Sequence, residues 1–364
     1  MIRRLYVNNF RCLVDFTWEP QAEALILGTN GSGKSAVVEV IQTLRHWIVG
    51  DGRLSDLLDG ETLARWSESK SIEIDLDVET TEGFYKYQVE FELEKTREVR
   101  VLRERLSLDD VSLFDRLPEQ VRLQGTVSEY LIPPSLSAFE VANPLGGNPA
   151  VLRFLQYFVR MIAVKPIPIL IENEAMNPSN DTWTRFEQFV AWYWYQTSNG
   201  KFSAAVQSML KEIWDDFDFL QLRQVGQQTR VLRTHFQAPD KYTGEYSIGF
   251  HELSDGERML IVLYALLAYQ EAMPPSVIIL DEPDNFVAMS EIQPWLLKML
   301  EGRPEHGQII LISHNPEIIE TMGADRVAYF SRQDHQSPTK VGPLPSDDSG
   351  LSLSERITRG WIGA

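Results

Sequence analysis

The run Gly28-Thr29-Asn30-Gly31-Ser32-Gly33-Lys34-Ser35 constrains this chain more than any other stretch. It fits the pattern G-x-x-x-x-G-K-[S/T] at every fixed position, with the apolar run Leu25-Ile26-Leu27 before it and a helical stretch after it. A strand, a glycine-rich loop and a helix are what the pattern needs around it. The glycines let successive backbone N–H groups turn inward, and the positive end of the following helix adds to their field. Such a loop is built for a polyanion. Lys34 reaches the outer phosphates as a point charge, and the Ser35 hydroxyl ligates a magnesium ion that keeps mostly water and phosphate oxygen as its other ligands. The alternative is a chance glycine-rich turn, which the flanking elements argue against.

With 364 residues the chain has room for two ordinary domains or one large domain with an insertion. Its 34 basic and 52 acidic residues give a formal charge of -18, which speaks against broad attachment to DNA or anionic lipid and leaves room for a local basic groove. Cys12 is the single cysteine, so no internal disulfide framework exists, and a reducing compartment is expected. Met1-Ile2-Arg3-Arg4 is basic but no signal-peptide apolar region follows, and no later stretch is apolar enough to span a bilayer. The expected location is the cytoplasm, with no membrane partner.

Leu5, Val7 and then Phe10-Arg11 read as a first strand entering a turn, with a short second strand near Phe16-Thr17-Trp18. After Ser35, positions Val37, Val38, Ile41, Leu44 and Ile48 recur at helical spacing and predict an amphipathic helix ending near Gly50. From Ser71 the period changes to two: Ile72, Ile74, Leu76 and Val78 alternate with polar residues, as do Tyr85, Tyr87, Val89, Phe91 and Leu93, with a hairpin at Glu82-Gly83. This predicts an accessory antiparallel sheet with one wet face, to which residues 99–106 add another strand.

Residues 131–245 read as a mostly helical block, because Val151 to Val164 and Trp183 to Tyr195 are apolar runs too long for single strands. The aromatic cluster Trp183, Phe186, Phe189, Trp192, Tyr193, Trp194 and Tyr195 is expected in a core or a partner interface, in preference to a base-stacking platform. Parallel-sheet logic returns at Ser276-Val277-Ile278-Ile279-Leu280, a strand ending in Asp281-Glu282. Beside a phosphate loop, Asp281 holds the magnesium shell and Glu282 polarises an attacking water. A further buried strand, Gln308 to Ser313, ends in His314, which either hydrogen-bonds a terminal phosphate or caps the helix beginning near Asn315-Pro316.

Leu253-Ser254-Asp255-Gly256-Glu257 precedes the predicted helix from Arg258 to Tyr269. With the phosphate loop, Asp281-Glu282 and His314, and in the same order, it resembles the signature sequence of the ABC-type ATPases. That resemblance implies ATP and Mg2+ as cofactors and a homodimer in which Ser254, Gly256 and Glu257 of one head close on the phosphates bound by the other, again a helix N-terminus offered to an anion. The fold it implies is an α/β P-loop NTPase: an ABC-ATPase head with an antiparallel accessory sheet and a mostly helical insertion. Its parts are expected at residues 1–130, 131–245, 246–330 and a polar tail at 331–364.

The opening Asn8-Asn9-Phe10-Arg11 resembles the start of the SMC and RecF-like branch, which adds Arg11 to the implied nucleotide contacts. The chain most resembles stand-alone AAA-type ATPases related to the head of OLD-family nucleases, through Glu104-Arg105-Leu106, Pro166-Ile167-Pro168 and Asp281 to Phe286. It departs from that pattern at Val287-Ala288-Met289-Ser290, and neither Gln42 nor Gln156 suits the metal-sensing glutamine. The stretch after Phe330 is too short for the TOPRIM nuclease domain of OLD proteins. The resemblance thus implies an ATPase switch acting on a separate effector, a nuclease or other toxin, in bacterial anti-phage defence. Residues 131–245, with Trp192 among them, and the tail from about 331, with Leu351, Leu353, Ile357 and Trp361, are the expected docking surface, the alternative being that both complete the protein's own core. A RecF-like DNA-binding repair ATPase and an ATP-binding scaffold with negligible turnover are the competing readings.

Overall fold

The computed structural model describes residues 1–50, 53–93, 99–125, 129–180, 186–237, 246–273, 276–301, 307–345 and Glu355. The chain forms two compact units, residues 1–161 with 324–364, and residues 162–323.

The first unit begins with β1 (Ile2–Asn8), β2 (Phe16–Trp18), β3 (Glu23–Gly28), α1 (Lys34–Val49) and the short α2 (Leu54–Leu57). Gly50 ends α1 in the left-handed conformation with φ 80°, as the sequence predicts. The period-two stretches form β4 (Ser71–Thr80), β5 (Gly83–Leu93) and β6 (Val99–Leu108). Three more strands follow that the alternation did not reveal: β7 (Val111–Leu117), β8 (Gln120–Leu123) and β9 (Glu129–Leu131). Asp109 and Asp110, with φ 47° and 64°, make the turn between β6 and β7, so no glycine marks it. All eight strands other than β3 pair antiparallel in the order β2-β1-β4-β5-β6-β7-β8-β9. The accessory sheet therefore includes the first two strands of the chain.

Its inner face carries Ile72, Ile74, Leu76, Val78, Tyr85, Tyr87 and Phe91, each 1% exposed or less. Helix α1 joins this core through Trp47, whose Nε1 donates to Tyr87 Oη at 3.0 Å. Helices α3 (Phe139–Gly146) and α4 (Pro149–Val159) add Phe139 and Phe154, whose rings stack at 5.9 Å.

The second unit contains β10 (Ile162–Val164), β11 (Glu174–Ala175), α5 (Phe189–Gln196), α6 (Gly200–Ile213), β12 (Phe217–Val225), β13 (Thr229–Phe236) and β14 (Tyr246–Gly249). It continues with α7 (Asp255–Ala272), β15 (Ser276–Asp281), α8 (Met289–Glu301), β16 (Gly307–Ile312) and α9 (Pro316–Met322). Strands β10, β15 and β16 run parallel, and every residue of β15 and β16 is buried, in keeping with their apolar runs 277–280 and 309–312. Helix α7 is buried continuously from Met259 to Gln270. The chain then returns to the first unit with β17 (Val327–Ser331), parallel to β3, and β18 (Lys340–Gly342), antiparallel to β17. No helix among the described residues is long and apolar enough to cross a membrane.

Four expectations need correction. The apolar run Val151 to Val164 is not one helix: α4 stops at Val159 and the last three residues are a strand beside β15. The block read as mostly helical also holds the long hairpin β12–β13. Trp192 is fully buried, as are Phe186, Phe189 and Tyr193 to within 2% exposure, so these four take the core alternative and the docking role expected of Trp192 falls away, while Tyr195 stays exposed. Part of the expected tail is folded: Thr339 is 3% exposed and β18 follows it. Trp183, Leu351, Leu353, Ile357 and Trp361 lie outside the described residues.

Candidate nucleotide site

In the first unit the phosphate loop connects β3 to α1 as the sequence predicts. Gly31 and Gly33 have φ 79° and 102°, in the region closed to most side chains. Gly28 has a different constraint, since a Cβ there would collide with the Phe330 carbonyl and Ser32 Oγ. Four of the loop carbonyls have side-chain partners. Lys34 Nζ donates to Gly28 O at 2.7 Å and Thr29 O at 2.9 Å, Arg332 Nη1 donates to Gly31 O at 2.9 Å, and Thr339 Oγ1 donates to Ser32 O at 2.9 Å. With these carbonyls held, an anion meets N–H groups of the loop, apart from that of Ser32, which donates to Thr29 O at 3.1 Å. Gly33 caps α1 without a side-chain hydrogen bond, and Ser32 Oγ is buried with no partner, so the loop retains unused hydrogen-bonding capacity. Asn30, Gly31 and Ser35 are exposed. Arg11 instead faces α1, where its guanidinium pairs with Glu39 at 2.5 Å.

The second unit holds the other candidate residues. Ser254 is the N-cap of α7 in a reciprocal capping box: its Oγ accepts from Glu257 N at 3.2 Å, and the Glu257 carboxylate accepts from Ser254 N at 2.8 Å. Glu257 is thus committed to the helix end, while Ser254 remains exposed. Gly256 allows close approach, because a Cβ there would sit 3.1 Å from Phe286 O. Asp281 ends β15 at 7% exposure.

Glu282 follows with φ 53°, and its N–H donates to Ile312 O at 2.8 Å. Its carboxylate accepts from Lys165 Nζ and from Asn285 Nδ2, the latter at 2.8 Å. Burial raises this carboxyl, but the bond and charge of Lys165, the Asn285 bond and the charge of His314 outweigh it and hold the group below the ordinary carboxylate range. His314 follows β16 and is half-buried; the α9 cap is Asn315, whose Oδ1 accepts from Glu317 N at 3.0 Å, so the capping alternative for His314 falls away.

Residues 1–337 match the family model described as the RecF/RecN/SMC N terminal domain. The chain belongs to that family. It is an ABC-type ATPase head of the SMC and RecF branch. The SMC head domain from Thermotoga maritima shares its fold with a TM-score of 0.50 at 16% identity, covering 95% of this chain and 99% of that one. An SMC head bound to the C-winged helix domain of ScpA superposes with a TM-score of 0.57 at 15% identity, covering 97% and 99%. No curated protein matches the chain.

Against this SMC-type frame, the structure adds residues that sequence reasoning missed. Arg332 and Thr339 hold the phosphate loop from about 300 positions away. Lys165 reaches the carboxylate beyond β15 from the end of β10. Lys165-Pro166 directly follows an apolar triplet, a strand-end signal that was hidden inside a longer apolar run. Gln42 and Gln156 lie within α1 and α4. Among the described residues no group of three His, Cys, Asp or Glu side chains forms a metal cage. Magnesium in phosphate sites needs none, since one or two protein oxygens with water and phosphate suffice.

Proposed function

We propose that this chain binds Mg-ATP in its phosphate loop, hydrolyses it, and pairs with a second copy of itself over the nucleotide. The loop carries this reading: four of its carbonyls accept side-chain hydrogen bonds, two of its three glycines adopt left-handed φ values, and Lys34 Nζ donates to Gly28 O and Thr29 O. Lys34 and the loop amides of residues 28–35 hold the phosphates, with Ser35 and Asp281 as magnesium ligands. The metal, when bound, neutralises charge on the phosphate oxygens. Glu282 orients and polarises the attacking water, and His314 supports the terminal phosphate. Ser254 and Gly256 at the start of α7 face the partner's nucleotide, with Glu257 fixing that helix end. Arg11 is already bonded to Glu39 on the loop's helix and joins the nucleotide contacts by leaving that carboxylate. Purified protein tests the reading: magnesium-dependent hydrolysis that Lys34→Ala abolishes supports it, and no hydrolysis or turnover indifferent to Lys34 refutes it.

The resemblance to OLD-related ATPases supports a role for this cycle in controlling a separate effector, a nuclease or toxin, in anti-phage defence. Co-purification of the neighbouring gene product, responsive to ATP, tests it. A second reading, a RecF-like ATPase acting on DNA, draws on one feature of this acidic chain. Hairpin β12–β13 carries Arg223, Arg230 and Arg233 against a single carboxylate, Asp218. Salt-dependent duplex binding weakened by Arg223→Glu would favour that reading.

A further inference from the structure

Lys165 stands one residue beyond β10, whose Val164 is in register with Leu280 of β15. It therefore ends its strand level with the carboxylates that end β15. Its ammonium donates to Glu282 Oε2, and Asn285 Nδ2 donates to that same oxygen at 2.8 Å. The two donors load one oxygen and leave Oε1 for another hydrogen. The main chain of Glu282 is fixed too, through its N–H bond to Ile312 O at 2.8 Å and its left-handed φ of 53°. A residue with a side chain keeps that conformation only where its surroundings impose it.

We propose that Lys165 is a positioning residue for hydrolysis: with Asn285 it grips one oxygen of Glu282 so that the other meets the attacking water. The proposal rests on the role given to Glu282 above. A glutamate has three side-chain torsions, and a shift of about 1 Å in a reacting group costs on the order of a hundredfold in rate, so a carboxylate gripped at one oxygen is worth more than a free one. Stability alone does not explain the pair. Its side chains are 39% and 27% exposed, and ion pairs that open to solvent contribute little to folding. An ammonium has no lone pair for a metal ion, so Lys165 acts on the carboxylate and not on magnesium.

Steady-state hydrolysis and ATP binding are to be measured for wild type, Lys165→Met, Lys165→Arg, Glu282→Gln and the double variant Lys165→Met with Glu282→Gln. The expected result is a fall in kcat of about ten- to a hundredfold for Lys165→Met, with KM and ATP affinity within about twofold, and substantial recovery in Lys165→Arg. In the Glu282→Gln background, loss of Lys165 should cause no further fall, because the two residues act as a unit. Unchanged or raised kcat in Lys165→Met, or an equal loss in both backgrounds, overturns the proposal. Should Lys165→Met fail to fold, Asn285→Leu replaces it at an exposed position and must lower kcat only when Glu282 is present. Wild-type turnover in Glu282→Gln would instead refute the role of Glu282, and the proposal with it. An additive Lys165 loss in a crippled Glu282→Gln enzyme refutes the positioning role alone.

Discussion

Glu282 takes its geometry from residues that the chain brings from three places: Lys165 after β10, Ile312 at the end of β16, and Asn285 three positions on. In the proposed mechanism its charge orients water, so Glu282→Gln keeps the shape and removes the function. Turnover should fall by about 10²- to 10⁴-fold while ATP binding persists, as measured by steady-state hydrolysis and by equilibrium nucleotide binding. At the phosphate loop, Thr339→Val removes the hydroxyl that donates to Ser32 O. It should cost about 1 kcal/mol of stability by urea unfolding and weaken ATP binding, since the loop loses a clamp. The contiguous residues of this site were legible in sequence because the loop pattern and the strand ending in Asp281-Glu282 are local signals. Lys165, Arg332 and Thr339 were not. Each acts across a long sequence separation, and nothing adjacent to it in the chain records the contact.

Elements were legible where a period had room to repeat. Strands β4 and β5, ten and eleven residues long, display the alternation of a half-wet sheet clearly. β10 has three residues directly after the apolar face of α4, so its signal merged with the helix. The antiparallel sheet also contains a buried polar network that no periodicity announces. Glu104 and Arg116 are cross-strand partners on β6 and β7, both 0% exposed. Glu104 accepts from Tyr87 Oη at 2.8 Å, Ser137 Oγ at 2.7 Å and Ala138 N at 2.7 Å, while Arg116 Nη2 donates to Pro133 O at 3.1 Å and Pro134 O at 3.2 Å. Glu104→Ala removes the acceptor of three buried donors and the charge that offsets the buried Arg116, and should destabilise the protein by about 3–5 kcal/mol in urea unfolding. Burial raises the Glu104 carboxyl despite these bonds. The folded state therefore holds its proton to higher pH than the unfolded chain does, and this group's contribution to stability declines as pH rises from the ordinary carboxylate range through the raised value. Glu104→Gln should lack that decline. Trp192 belongs to the same scale: it packs on Phe186 at 5.2 Å, Tyr269 at 5.4 Å and Phe202 at 5.8 Å. Trp192→Ala should cost about 3–5 kcal/mol through the cavity it leaves, whether or not any partner is present.

At the scale of the whole molecule, the family and the α/β head were legible because four short motifs kept their order along the chain. The division of the chain was not, since it falls between α4 and β10, inside what reads as one apolar run. The account's central proposal is that one chain's phosphate loop works with another chain's signature helix, a reading supported by the exposure of Ser254 at the head of α7. Complementation tests this most directly. Lys34→Ala and Ser254→Arg chains are purified separately, mixed in equal amounts, and assayed for ATP hydrolysis. Each variant alone should be inactive. The mixture should recover about a quarter of wild-type activity, since random pairing makes half the dimers mixed and each mixed dimer has one intact site of two. Full activity of Ser254→Arg alone, or no recovery in a mixture whose chains demonstrably pair, would contradict it.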